Sequence, residues 1–518
     1  MSINPAVLTY FQELYLICDY SNLEGKLVPV RREFVYNIKE GKTKINGLIR
    51  LTHQDYKFIV DDSKRSFWLE TKVYEDDAFD KDSTFWSDKR PFTLKDLELN
   101  FIRTQDSVIS YHETDEYMRQ NDSIRNKIKW TTLIFEGVRH VNSFKKQEWR
   151  INGLVEQVIP FGVGGYRHRL GGYYSKEFEN GKAFTVRPMV DYGFRNKDVK
   201  GEFGGSFTYN PKRFSKIEFE IGDVYDFVSN VQNIQGTFAP GNRVRNKKFQ
   251  ISHRMEIING LYGKIGFEFS DRTSITNLQQ PEWDTLFGIF ADPIPFDPYR
   301  ILLTTIDLEY HFSQKYFIRK GRKVVLGSPY PKLFFKYKRG IPNVFAAQSN
   351  FDFVEVRIHD DIQLNTLGTS ELNFTMGGFL FKKDLRVIEH KFFRASDLGF
   401  FSNPVNTMQI LDTALNTNNS YMQFNFIHHF KGFFLNKIGL INRLKLEETI
   451  GGGFLTVPDV KFRHVEFYVG LERKVRIRQT IFKIGIYAVA GDSNFSKADV
   501  NFKFGFNFYD NFTGKWQY

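Results

Sequence analysis

The chain has 518 residues, a net charge of +12 and a mean hydropathy of −0.39, and no apolar run approaches the roughly 18 residues that a membrane-crossing helix needs, which excludes a helical membrane protein. Its single cysteine, Cys18, excludes an internal disulfide and a thiolate metal cluster, and Lys and Arg alternate with Asp and Glu instead of forming basic runs, so no nucleic-acid partner is expected. The remaining signal is aromatic weight, 55 Phe and 25 Tyr, which fits an aromatic-rich soluble β protein or a barrel whose apolar outward residues alternate with polar inward ones.

In chain order, residues 27–73 carry short strand-like runs: Leu27 to Val30, Glu33 to Ile38, Ile45 to Leu51, Phe58 to Val60 and Phe67 to Val73. Turn formers such as Glu40-Gly41 and Asp61-Asp62 separate them, which predicts a small sheet. A loop is expected from Asp76 to Arg90. Pro91 and Thr93 then precede a helix with Leu94, Leu97 and Phe101 spaced by three and four. Ser107 to Lys129 is charged and poor in apolar residues, as an exposed helix or linker would be. The boundary near Gly137 to Gln147 predicts a small β-rich region with a helical linker over 1–140, followed by a second domain over 141–518.

Beyond Trp149 the period becomes two. Phe184, Val186, Pro188, Val190, Tyr192 and Phe194 share one parity, and Arg187, Asp191 and Arg195 fall on the other. The same alternation returns in Val199 to Asn210, Ile217 to Ile221, Leu261 to Ser270 and Leu302 to Phe312. In the last run Val500, Phe502, Phe504, Phe506 and Phe508 oppose Asn501, Lys503, Gly505 and Asn507. Asn180-Gly181 and Asn259-Gly260 sit where type I′ hairpin turns would join strands. One soluble sheet with a buried face has the same period, but many strands with aromatic residues on one parity and charges on the other predict an all-β chain: a transmembrane antiparallel barrel of about 14 to 18 strands. A barrel leaves no exposed sheet edge. The expected location is the bacterial outer membrane, with residues 1–140 in the periplasm. Met1 to Pro5 lacks the basic and apolar parts of a secretory signal, so a longer precursor carrying one is expected.

Three strings carry a family resemblance: Asp82-Ser83-Thr84-Phe85-Trp86 with Arg90-Pro91 and Leu94, Phe430 to Ile438, and Phe462 to Glu472. Over most of its length the chain resembles a family of Bacteroidota outer-membrane proteins of unknown function. Longer members of that family carry a carboxypeptidase-regulatory-like domain, and this chain resembles their C-terminal portion. The strings imply no assigned chemistry. The layout is also similar to that of the barrel-assembly insertases, without their diagnostic loop motif.

Read from the residues alone, Phe430 to Ile438 running into Leu440 to Leu446 suits an interfacial turn and a short helix. Phe433 and Phe434 would then lie among headgroups, with Lys437 and Arg443 near phosphates. Outer-membrane lipid and lipopolysaccharide are the expected partners, with other envelope proteins at a docking string formed by Phe85 and Trp86; the same string would equally staple the core of the small domain. No cofactor, metal or catalytic residue is assigned. Gly162 to Gly165, with Arg167, His168 and Arg169, fits no phosphate-loop spacing and reads as a glycine kink in a strand. His428 and His429 are adjacent in a strand and face opposite sides, so they cannot share an ion. Asp307, Glu309 and His311 share one polar wall, where a hydrolase could use an Asp–His pair, although barrel interiors ordinarily hold such charges. The reading is therefore a non-enzymatic envelope barrel serving assembly, transport or scaffolding. A barrel-borne hydrolase and a soluble secreted glycan-binding protein are the alternatives.

Overall fold

The computed structural model describes residues 11–40, 43–54, 56, 58, 70–72, 81–90, 93–228, 242–279, 292–319, 321–396, 399–411, 415–477, 480–494, 496–510 and 515–517. They form two compact units, Met1–Trp68 with Glu75–Ile109, and Leu69–Tyr74 with Ser110–Tyr518.

In the first unit, Phe11–Leu23, Lys26–Glu40 and Thr43–Thr52 make an antiparallel three-stranded sheet. The two runs expected at 27–30 and 33–38 are one strand, because Arg31 and Arg32 keep the alternation going between them. Pro29, which has no N–H to give a ladder, lies opposite Tyr20 beside a register shift. The register places Leu14, Leu16, Phe34, Tyr36 and Ile49 on one face; on the other, Arg31 pairs with Asp19 and Arg50 with Glu33, each at 2.5 Å. Of the remaining expected runs, Phe58 to Val60 and Phe67 to Val73 lie largely outside the described residues. Glu70–Lys72, which is described, belongs to the second unit and pairs in parallel with Lys315–Arg319.

The segment expected as a loop at 76–90 contains a helix, Ser83–Lys89, because the Asp82 carboxylate accepts the Phe85 N–H at 2.9 Å and so satisfies an open first-turn donor. The next helix starts at Asp96 and runs to His112, which leaves Leu94 before it and Leu97 and Phe101 exposed.

In the second unit the helix Asp115–Arg125 is tied to a strand rather than free. Buried Asp122 accepts from the Ser143 N–H at 2.8 Å, and Asn126 exchanges two bonds with the Val141 backbone. Beside two small sheets, one of them holding Glu70–Lys72, the unit has among its described residues a large antiparallel sheet of nineteen strands. Its ends, Val138–Asn142 and Lys515–Gln517, stand next to each other in the strand order. The count exceeds the 14 to 18 expected because Val138–Asn142, Gln147–Ile151, Val158–Gly162 and Lys515–Gln517 hold only three to five residues each, too short to show a period.

Alternation along the long strands is real. Val500, Phe502, Phe504, Phe506 and Phe508 are 63, 71, 59, 60 and 47% exposed, while Lys503, Gly505 and Asn507 between them are buried. Val465, Phe467, Val469 and Leu471 are exposed in the same way, against His464, Glu466, Tyr468 and Glu472, which are not. The turns differ from expectation. Gly181 and Gly260 adopt φ +76° and +83°, but Asn180 and Asn259 keep negative φ, so neither turn is type I′, which needs both residues left-handed; the register shifts instead between Glu256 and Ile258. The Gly162 to Gly165 string is a tight hairpin turn, with Gly162 opposite Gly165 and φ +79° at Gly164, not a kink within a strand. Among the described residues no helix is long and apolar enough to cross a membrane.

Candidate functional site

One face of the sheet has a core of its own. Tyr299, Ile301, Phe351, Phe353, Tyr421, Leu455 and Phe462 are buried on it, and what buries them is the connection between the strands Thr369–Asp384 and Tyr421–His429. That connection contributes Phe393, Ala395, Met408 and Leu411 to one cluster, and Phe401 and Val405 to a second with Ile427, Tyr468, Tyr487 and Val489. Phe401 stacks flat on Tyr487 at 3.7 Å and meets Tyr468 edge-on at 4.9 Å. Each such buried aromatic or Met stabilises the seating by about 1.5–3 kcal/mol. The wall makes room with glycine: a Cβ at Gly453 would meet Met408 Sδ at 2.6 Å, and one at Gly491 would meet Ile410 Cδ1 at 2.3 Å.

Polar groups fix the same segment. Glu466, buried, accepts the backbone N–H of Gln409 on both oxygens at 2.7 Å and that of Ile410 at 3.1 Å. Lys503 donates to Ser396 Oγ at 2.6 Å, and Lys391 meets Glu355 at 2.5 Å. Glu389 takes Arg272 and the Tyr299 hydroxyl. At the edge of Ser496–Asp510, Phe504 exchanges backbone bonds with Gly399 and Phe401, 2.9 Å each. These residues were not singled out from sequence. The only signal was negative, a long stretch that mixes Phe and Leu with Asn and Ser in neither helical nor strand period, and period is what sequence reading detects.

The polar residues that were singled out are placed as follows. Asp307 lies 3.5 Å from Lys336, and Glu309 bonds His311 at 2.8 Å and Arg254 at 3.6 Å. The carboxylate beside His311 is therefore Glu309, not Asp307, and both acids sit in a ladder of charges. His428 and His429 diverge as expected: His428 bonds Ser370 at 2.7 Å and the Leu367 carbonyl at 2.9 Å, and His429 bonds Thr449 and Glu472, both at 3.0 Å. Arg167 is buried against Asp191 at 2.6 Å and Asp198 at 2.8 Å, a structural anchor instead of an anion cradle. Among the described residues no group of three His, Cys, Asp or Glu converges as on a metal ion.

Residues 430–445 form two short 3-10 turns, Leu435–Lys437 and Ile441–Leu444, where a helix was expected over 440–446. Phe433 and Phe434 are edge-to-face at 5.0 Å, and Lys437 lies over the Phe433 ring at 3.8 Å. Phe434, Ile438, Leu440 and Leu444 are exposed, as are Lys437, Arg443 and Lys445. Grease and positive charge thus share one loop. In the first unit, Phe85 and Trp86 pack edge-to-face at 5.3 Å on the short helix, with Trp86 still 44% exposed. Phe85 is half-buried. The Phe85 N–H holds the Asp82 carboxyl below its ordinary value, helped by the Thr84 hydroxyl.

No curated protein matches the chain. Among solved structures it is similar to BamA from Haemophilus ducreyi lacking POTRA domains 1-3, at 9% identity and a TM-score of 0.39 over 70% of this chain and 69% of that one. It is also similar to a mutant of the Rh. blastica porin, at 11% identity and 0.28 over 67% and 93%. A third is Wzi, an outer membrane protein involved in group 1 capsule assembly in Escherichia coli, at 8% and 0.27 over 69% and 82%. Likeness this distant assigns no role. The family of unknown function DUF5686, by its C-terminal domain, matches residues 131–471, about two thirds of the chain, and the protein belongs to that family.

Proposed function

We propose that the chain is a non-enzymatic outer-membrane β-barrel whose lumen is filled by its own residues 385–420, and that it serves envelope assembly or scaffolding, with residues 1–140 on the periplasmic side. The observation that carries this is the pairing of two faces. The outer face exposes unbroken apolar rows such as Val500 to Phe508, which water penalises and lipid does not. The inner face is covered by a seated segment fixed by Glu466, Lys503 and Glu355. Among the described residues no register joins the end strands Val138–Asn142 and Lys515–Gln517; closure belongs to the proposal, because an open edge of this length would be a template for aggregation. A filled lumen argues against an open diffusion pore.

Fractionation of cells that export the protein behind a secretory signal, followed by gel migration with and without boiling, tests the reading. Recovery in the outer membrane with a boiling-dependent shift is expected. A protein that stays soluble without detergent and shows no shift would return the aromatic rows to the core of a secreted β protein.

A further inference from the structure

On the outer face, a groove of about 770 Å³ runs between the strands Leu446–Val457, Phe462–Ile477 and Thr480–Ser493, walled by Ile450, Val469, Leu471, Ile484, Ile486 and Phe502. It ends beneath the 430–445 loop, where its lining turns polar at Glu448 and Arg473. Glu448 accepts the Leu435 N–H on Oε1, which pins the loop above the groove, but its second oxygen, Oε2, is buried with no hydrogen-bond partner among the described residues. A buried carboxylate oxygen without a partner costs free energy and calls for a donor. Arg473 stands opposite Leu446 while Glu448 stands opposite Leu471, so the two are diagonal neighbours on the same face, about 7–8 Å apart at the backbone. Arg473 is exposed, and no side-chain hydrogen bond or ion pair engages it among the described residues.

We infer that this groove binds a zwitterionic aminophospholipid: acyl chain along the aliphatic wall, phosphate at Arg473 and the loop cations Arg443 and Lys445, and primary ammonium at Glu448. An ammonium supplies the donor that Oε2 lacks, and phosphate accepts the charge-assisted bonds that Arg offers. A purely anionic headgroup would leave Oε2 unpaired and place like charge beside it. The site rests on the barrel reading, and the end at which it lies agrees with that lipid. The helix Asp115–Arg125 binds the turn between Val138–Asn142 and Gln147–Ile151, and Gln147 pairs with Lys176, at the end where Ser496–Asp510 finishes and the 430–445 loop also lies. With the N-terminal residues periplasmic, the loop faces the phospholipid leaflet and not lipopolysaccharide.

The test is competition between phosphatidylethanolamine, phosphatidylglycerol and lipid A for the purified full chain in detergent, read by native mass spectrometry, with the boiling shift measured on every sample. Retention of phosphatidylethanolamine about tenfold above the other two is expected, the effect of one charge-assisted bond. Glu448→Gln, whose side-chain oxygen still accepts from Leu435, should abolish that preference, and Arg473→Gln should weaken both phospholipids. A heat-shifting chain that retains phosphatidylglycerol or lipid A equally well, or whose preference survives Glu448→Gln, overturns the site alone; a chain with no shift overturns the barrel reading and the site with it.

Discussion

Arg167 shows what one side chain does in this sheet. It reaches Asp191 on the adjoining strand and Asp198 at the start of the strand beyond it, and it fits only because Gly193 has no side chain: a Cβ there would meet Arg167 Nη1 at 2.2 Å. Arg167→Ala leaves Asp191, itself buried, with Arg169 at 3.1 Å as its remaining cation, so the loss is that of a charge-assisted hydrogen bond, about 1.5–3 kcal/mol. The loss should appear as a lower urea midpoint for the detergent-folded protein, and an unchanged midpoint would show that water replaces the guanidinium. Asp82 makes a pH-dependent contribution. Because its folded carboxyl is held below 3.8 by the Phe85 N–H, the stabilisation is complete above that ordinary value and is lost as pH falls through the lowered one. The protection of the Phe85 amide, taken relative to its intrinsic exchange rate at each pH, should therefore be present at about pH 5 and lost at about pH 2, whereas Asp82→Ala should lack it at both.

At the scale of elements, the connection 385–420 decides what the inner face can do. Its seating rests on buried Phe393, Phe401 and Met408 and on Glu466, which takes two backbone N–H groups. On the proposed barrel, replacing residues 386–419 with a short Gly-Ser linker should raise conductance in planar bilayers above that of the parent; a replacement that conducts no more than the parent would count against this segment as the plug. Glu466→Gln loses a charge-assisted acceptor, worth about 1.5–3 kcal/mol, and should raise protease sensitivity within 399–411 before the strands yield. The short Asp82-capped helix teaches the same lesson in reverse. Its sequence carries the N-cap residue type in plain sight, but two adjacent aromatics and a following proline look like a loop until the cap bond is seen.

For the whole molecule, the proposed barrel sets its exposed apolar rows against lipid, where they carry no hydration penalty. Phe504→Arg, near the middle of its strand and 59% exposed, should lower folding stability in bilayers by about 2–4 kcal/mol. Urea titration of the vesicle-inserted protein reads the loss, and a change near zero would show that Phe504 does not face the hydrocarbon.

Much of this was legible in the residues. Strict alternation in Phe184 to Phe194 and Val500 to Phe508 determined strands and assigned each side chain to a face, because successive Cβ atoms in a strand point opposite ways whatever the surroundings. The divergence of His428 and His429 followed from the same geometry. Sequence also put grease and cations together in 430–445, since the two are contiguous in the chain. Only tertiary structure decided which carboxylate meets His311, that Glu70–Lys72 pairs with Lys315–Arg319, and that Phe393, Ala395, Met408 and Leu411 of the aperiodic stretch pack on the face of the sheet that buries Tyr299 and Phe351. Each of these joins residues distant in the chain or adjacent across strands, and such contacts depend on register and loop path, which a local period does not encode.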